Sequence, residues 1–223
     1  MFTAHLSAIQ ELLGETGTLI VPTHSWSLCN TSKVFDIKRT PSETGPFTEY
    51  IRKQKSSVRQ LHPFSSSTAL GKEAMAICAN TSKHAYGPES PFQRMIDRNA
   101  LYVSIGLPIE LTISLVHHIE LVMGVPYRYV KEFIHPIKVD NELKNIAFYL
   151  YVIRRECQIE RDCNVNILNE FKKSYSVKRS SLGRSIVESL STAEFFQAIT
   201  KVFAKNIYIW LKKPPKKRIS YQQ

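Results

Sequence analysis

Residues 59–71 (RQLHPFSSSTALG) set an arginine, a His-Pro pair and three consecutive serines in front of an Ala/Gly-containing segment. A second stretch, residues 114–120 (SLVHHIE), places two histidines beside a glutamate. Together they offer imidazoles, a carboxylate and hydroxyls, the groups that take a proton from an attacking nucleophile and hold an acyl group. Imidazole suits the first task because its unperturbed pKa of about 6.5 lies near neutrality. On a helix His117 and Glu120 share a face, being three residues apart, and His118 points elsewhere. The residues alone leave the alternatives open. A histidine on an amphipathic helix serves as readily in packing as in catalysis, and Ser65, Ser66 and Ser67 cap a helix as readily as they hold an anion.

These side chains need elements to position them. Apolar positions at Phe2, Leu6, Ile9, Leu12 and Leu13 predict an amphipathic helix ended by Gly14, and residues 18–21 a short buried strand cut off by Pro22. Residues 23–57 are polar with scattered aromatics and read as a long loop carrying Trp26, Phe35 and a Thr40-Pro41 turn, with a short helix over 47–55. Residues 67–78 read as a helix whose N-terminal N–H groups follow the serines and face a developing oxyanion. Further on, 100–105 reads as a strand closed by Gly106, 111–122 as a helix, and 130–137 and 146–152 as strands. Helices are expected over 164–173 and 184–190. Ser191 and Thr192 signal the start of a last helix running to Lys205. The chain shows no internal repeat.

Composition narrows the classes. With 223 residues and 43% hydrophobic content, the chain is long enough for one substantial core. Cys29, Cys78, Cys157 and Cys163 show no C-x-x-C spacing, which favours structural thiols in a reducing, cytoplasmic setting. No signal-peptide pattern opens the sequence, and its apolar runs are short of a spanning helix. The net charge is +11, but residues 201–223 hold seven of the 30 basic residues and none of the 19 acidic ones. The other residues, with 23 basic and 19 acidic side chains, carry only +4. The excess therefore belongs to the C-terminal end, and no groove-reading or RNA-binding motif accompanies it, which argues against nucleic acid. The seven histidines show no H-E-x-x-H spacing, so no metal is expected.

An ordered series of motifs adds a resemblance. It comprises GTLIVPTHS at 17–25, Phe35-Asp36, TPSETG at 40–45, R-x-x-H-P-x-x-S at 59–66 and Gly71, followed by ESP at 89–91, S-x-x-H-x-x-E at 114–120 and PYR at 126–128. In this order the motifs resemble the aminoglycoside 3-N-acetyltransferases, an acetyltransferase family distinct in fold from the GNAT enzymes. The resemblance implies an α/β fold, a three-layer α-β-α sandwich with a mixed central sheet, with which the alternation of strands and helices is compatible. It also implies transfer of an acetyl group from acetyl-CoA to an amine of an amino sugar. His117 is then the general base, Glu120 orients it or grips the acceptor's charged groups, and His62 supports the thioester. Thr23, Arg59, Ser65 and Ser66 fall on the coenzyme A side, where Arg59 either neutralises phosphate or braces its loop through a buried carboxylate.

Family members carry a further segment ahead of the first helix, including a Ser-rich turn that helps hold coenzyme A, and this chain is expected to start after it. That expectation motivates an alternative, a relative without catalysis that binds a sugar, nucleotide or protein. The scarcity of acidic residues around Asp36, Glu43 and Glu49 leans away from polycationic drugs, toward an amino sugar on a nucleotide or lipid phosphate. Domain boundaries are expected at 1–205 for the acyltransferase-like part and 206–223 for a basic tail. That tail is either solvated or a peripheral membrane contact, with Tyr208 and Trp210 at the lipid interface. Oligomeric state does not follow from the sequence.

Overall fold

The structure, a computed structural model, describes residues 2–155 and 164–215. In chain order the elements are α1 (Phe2–Leu13), β1 (Thr18–Pro22), β2 (Phe35–Asp36), α2 (Pro46–Arg52), β3 (Val58–Arg59), β4 (Ser67–Gly71), α3 (Ala74–Cys78), α4 (Pro91–Asp97) and β5 (Leu101–Ile105). They continue with α5 (Ile109–Thr112), α6 (Leu115–Val122), β6 (Arg128–Val139), β7 (Glu142–Ile153), α7 (Val165–Phe171), β8 (Lys178–Leu182), β9 (Ser185–Ser191) and α8 (Thr192–Lys205). The α/β class holds. The strands form three three-stranded sheets, β1-β4-β3, β2-β6-β7 and β5-β9-β8, and the second is mixed, since β2 runs parallel to β6. The chain divides within β6 and β7 into two compact units, residues 1–91 with 131–150, and residues 92–130 with 151–223.

In the first unit β4 lies between β1 and β3, antiparallel to both. Alternation sends Leu19, Val21 and Leu70 to one face, where they pack with Leu6 of α1 and with Phe47, Tyr50 and Ile51 of α2. Ile20, Val58 and Ala69 turn to the other face and meet Ala74, Ile77 and Cys78 of α3. Helices thus cover both sides of this sheet. Gly71 ends β4 at φ +132, and a Cβ there would stand 2.3 Å from the Gly17 carbonyl oxygen, so the close pairing with Thr18 admits only glycine. Asp140 and Asn141, at φ +50 and +66, form the two-residue turn between β6 and β7, the left-handed pair such hairpins require.

The expected helix over 67–78 is therefore corrected. Residues 67–71 are a strand, and only 74–78 are helical. A strand with neighbours on both sides pairs its backbone fully, and that gain overrides the helix-compatible Ala69-Leu70 pattern. The expected oxyanion-binding helix terminus disappears with it.

In the second unit β9 is the middle strand, antiparallel to β5 and β8, so the helix expected over 184–190 is also corrected to a strand. Gly183, at φ +60, turns the chain from β8 into β9. Ser191 ends β9 and caps α8, its hydroxyl accepting from the Glu194 N–H at 3.1 Å as the sequence signal implied. The expected helix over 111–122 is broken into α5 and α6 at extended Ile113, where the Tyr102 hydroxyl donates to the Thr112 carbonyl. Among the described residues no helix is long and apolar enough to cross a membrane. Cys29 and Cys78 are free thiols, whereas Cys157 and Cys163 lie outside the described residues.

Candidate active site

Leu115, Val116 and Ile119 of α6 are fully buried and fix the rotation of the helix in the second unit. That rotation decides what its two histidines do. His118 turns inward beside Phe92 and Phe196, its Nε2 3.2 Å from Gln93 Oε1, and burial lowers its pKa to about 4, so it is a neutral core residue. His117 keeps 27% of its side chain exposed while its Nδ1 lies 2.7 Å from Glu120 Oε2.

Glu120 is 0% exposed and is ringed by partners. The Tyr127 hydroxyl donates to Oε1 at 2.8 Å, and Arg128 Nε stands 2.8 Å from Oε2. Burial alone would push the carboxyl pKa up. His117, Arg128 and Tyr127 together outweigh it, and the pKa lies below the usual carboxylate value. Glu120 is therefore an anion at neutral pH. Tyr127 is driven the other way, first by burial and then by the Glu120 charge, and stays a hydrogen-bond donor.

The proton on His117 follows from the distances. Arg128 Nη2 is 3.2 Å from Nδ1, whereas the carboxylate oxygen is at 2.7 Å, so Nδ1–H donates to Glu120 and Nε2 becomes the basic nitrogen. An imidazole in that tautomer, backed by a buried anion, can accept a proton at Nε2 and be stabilised as the cation that forms. The expected pairing of His117 with Glu120 is present. Tyr127 and Arg128 complete it. They stood in the sequence only as part of the PYR motif, and the signal for them was energetic, since a buried glutamate requires a counter-charge.

Trp210 also belongs to this cluster, and no spacing in the sequence pointed to it. It is 6% exposed and Leu211 is 4% exposed, so these residues are folded into the second unit rather than presented to lipid. Packed structure thus continues past residue 205, and Trp210, one of the two aromatics that the membrane-contact alternative set at a lipid interface, is buried. The basic residues beyond 215 lie outside the described residues.

The other expected site residues gather in the first unit. His62 is fully buried, and its Nδ1 accepts from the backbone N–H groups of Phe64 and Ser65 at 3.3 and 3.1 Å. Burial lowers its pKa to about 3. It is a neutral imidazole that braces the turn after the His-Pro pair. Arg59 donates to Ser66 Oγ at 3.0 Å, to the Thr40 and Thr23 carbonyls at 2.6 and 2.7 Å, and to Ser25 Oγ at 3.1 Å. Its guanidinium also lies over the buried Phe35 ring, so it braces the loop, as one of its two expected roles had it, through carbonyls and hydroxyls in place of a carboxylate. Ser66 Oγ donates to the Thr23 carbonyl at 2.6 Å, and Thr23 Oγ1 lies 2.9 Å from Thr68 Oγ1. Thr23, Arg59 and Ser66 are thereby interlocked. Ser65 differs, because its buried hydroxyl has no hydrogen-bond partner among the described residues.

The family model described as aminoglycoside 3-N-acetyltransferase matches residues 3–204. The aminoglycoside N(3)-acetyltransferase VII of Streptomyces paromomycinus is 28% identical over 160 residues, covering 61% of this chain and 54% of its own. The chain spans about half the length of the curated relatives it matches first. Among solved structures, the aminoglycoside acetyltransferase AAC(3)-Xa superposes with a TM-score of 0.79 at 20% identity, over 92% of this chain and 80% of that one. The structure of AAC-IIIb in binary complex with CoASH gives a TM-score of 0.77 at 17% identity, over 96% and 86% of the two chains. These structural likenesses concern the fold.

Proposed function

Because the chain belongs to the aminoglycoside 3-N-acetyltransferase family, we propose that it transfers an acetyl group from acetyl-CoA to an amino group of an amino sugar, with His117 as general base. The observation that carries this reading is the partly exposed imidazole held by a fully buried, ionised Glu120. An amine attacks a thioester only through its lone pair, so a proton must leave nitrogen as the N–C bond forms. His117 Nε2 takes that proton, and Glu120 holds Nδ1–H and stabilises the imidazolium. Collapse of the tetrahedral adduct breaks the C–S bond and releases the CoA thiolate, which takes up a proton. No acyl-enzyme is needed when the amine is positioned for direct attack. Of the residues expected on the donor side, Ser65 alone keeps an uncommitted hydroxyl, and it is the one we retain there.

The names of the relatives favour an aminoglycoside-type acceptor. A specific observation tells against a polycationic acceptor, and for that reason an amino sugar carried on a phosphate is kept as the second candidate. The carboxylates of the 23–57 loop are already engaged, Asp36 by the N–H groups of Lys38 and Arg39, Glu43 by Ser27, and Glu49 by Arg52 and Ser42. They offer a polycation little anchorage.

Calorimetry with coenzyme A, followed by thiol-release assays with a kanamycin-type aminoglycoside and a nucleotide-linked amino sugar, tests the reading. His117→Gln is expected to lower turnover by about 10²–10⁴-fold with coenzyme A binding retained. Undiminished release in that variant would remove His117 as base. Absence of coenzyme A binding by the parent would leave the alternative of a binding module.

A further inference from the structure

After α8 the chain makes two turns, with the Ile209 N–H donating to the Asn206 carbonyl at 3.1 Å and the Leu211 N–H to the Tyr208 carbonyl at 2.9 Å. These turns carry Trp210 back against the His117 cluster. The indole Nε1 donates to Asn164 Oδ1 at 2.6 Å, and Asn164 Nδ2 donates to the Glu110 carbonyl at 2.9 Å. Asn164 sits at φ +59, a left-handed conformation that asparagine tolerates better than most residues. The polar end of the indole is thus tied to a fixed point. Its ring lies nearly parallel to Tyr127, at 11° and 6.2 Å between centroids, and stands edge-on to His117, at 84° and 5.4 Å. The Arg128 guanidinium lies 4.7 Å from the indole centroid. One side chain therefore touches all three residues that surround Glu120, although it lies beyond the 3–204 segment matched by the family.

We propose that Trp210 is a positioning residue for His117, brought to the site by residues 206–211, an inference that rests on the reading of His117 as general base. The hydrogen bond to Glu120 holds Nδ1–H only while the imidazole keeps its orientation, and the terminal torsion of histidine is broad enough to let the ring turn away from it. An aromatic ring set perpendicular to the imidazole narrows the range of that torsion and so fixes the direction of Nε2. The same ring holds Arg128 by its cation and shields the Arg128–Glu120 pair from water. Trp210 acts on the reaction through these two neighbours, and its own burial keeps it from contacting the substrate.

The test uses the full chain with Trp210→Phe and Trp210→Leu. Long-range ¹H–¹⁵N NMR of the protein alone reads the His117 ring tautomer, and thiol-release kinetics read kcat and KM. Trp210→Leu removes the aromatic face. It is expected to convert a single Nδ1–H signal into a tautomer mixture and to lower kcat roughly ten- to a hundredfold with KM for acetyl-CoA little changed. Trp210→Phe, which keeps a ring, should restore most of both. His117 signals identical to the parent in a folded Trp210→Leu protein would overturn the proposal. If that variant does not fold, Asn164→Ala cuts the indole's tether while leaving the ring, and an unchanged tautomer there overturns it equally. Should the parent release no thiol, the acyltransfer reading fails, while the NMR arm still decides whether Trp210 orients His117.

Discussion

At the residue scale, adjacent histidines on one helix have opposite fates because of 100° of rotation: His118 is sealed among Phe92, Phe196 and Gln93, and His117 reaches the surface. The same rotation buries Glu120, and a carboxylate with no exposure is tolerable only while its partners remain. Glu120→Gln leaves Arg128 buried without its counter-charge. We expect it to cost about 3 kcal/mol of stability in urea unfolding, the lower end for breaking a buried pair. His117→Gln, at a partly exposed position, should cost less than about 1 kcal/mol by the same measurement while abolishing most activity. A stability loss as large for His117→Gln as for Glu120→Gln would mean that His117 is part of the scaffold.

At the scale of elements, β4 organises the first unit. Its side chains alternate between the apolar faces covered by α1 and α2 on one side and α3 on the other. Where the apolar positions run out, the strand continues as a polar ladder of Ser66 and Thr68 with Thr23, closed by Arg59. Its end depends on Gly71, where any Cβ meets backbone at 2.3 Å and the φ of +132 is strained for other residues. Gly71→Ala is expected to destabilise the protein by about 2–3 kcal/mol, combining backbone strain with overpacking, read as a lowered urea midpoint at unchanged slope. A near-neutral result would show that the β1–β4 pairing can relax around Thr18.

For the molecule as a whole, burial lowers five histidines below their ordinary value, furthest for His24, to about 4, His62, to about 3, and His118, to about 4, and in the same direction for His84 and His135. The unfolded chain protonates these groups near pH 6.5 and the folded chain does not. Their stabilisation is therefore fully present above pH 6.5 and is lost as pH falls toward the folded values, at up to about 1.4 kcal/mol per pH unit for each group. Glu49, held near 2 by Arg52, and Glu120 extend the loss below the ordinary carboxylate range. Unfolding free energy should drop on the order of 3 kcal/mol between pH 7 and 5.5. A flat profile over that range would show that these imidazoles titrate normally in the folded protein.

Local order is what the sequence determined by itself. The 3.6-residue spacing in 2–13, the capping serine at 191, the strands near 18–21 and 101–105, and the three-residue step from His117 to Glu120 all depend on neighbours a few positions away. The tertiary structure decided the rest. Segments 67–71 and 185–191 became middle strands because β1 and β5, distant in sequence, paired with them on the side that the nearby β3 and β8 left open, a gain absent from local periodicity. His62 and Arg59 brace their loops because burial leaves the imidazole neutral and nearby carbonyls take up the guanidinium, surroundings that only the folded chain supplies. Conversely Arg128 and Trp210, silent in spacing, were drawn to Glu120 and His117 because a buried charge needs a counter-charge and a cover that excludes water.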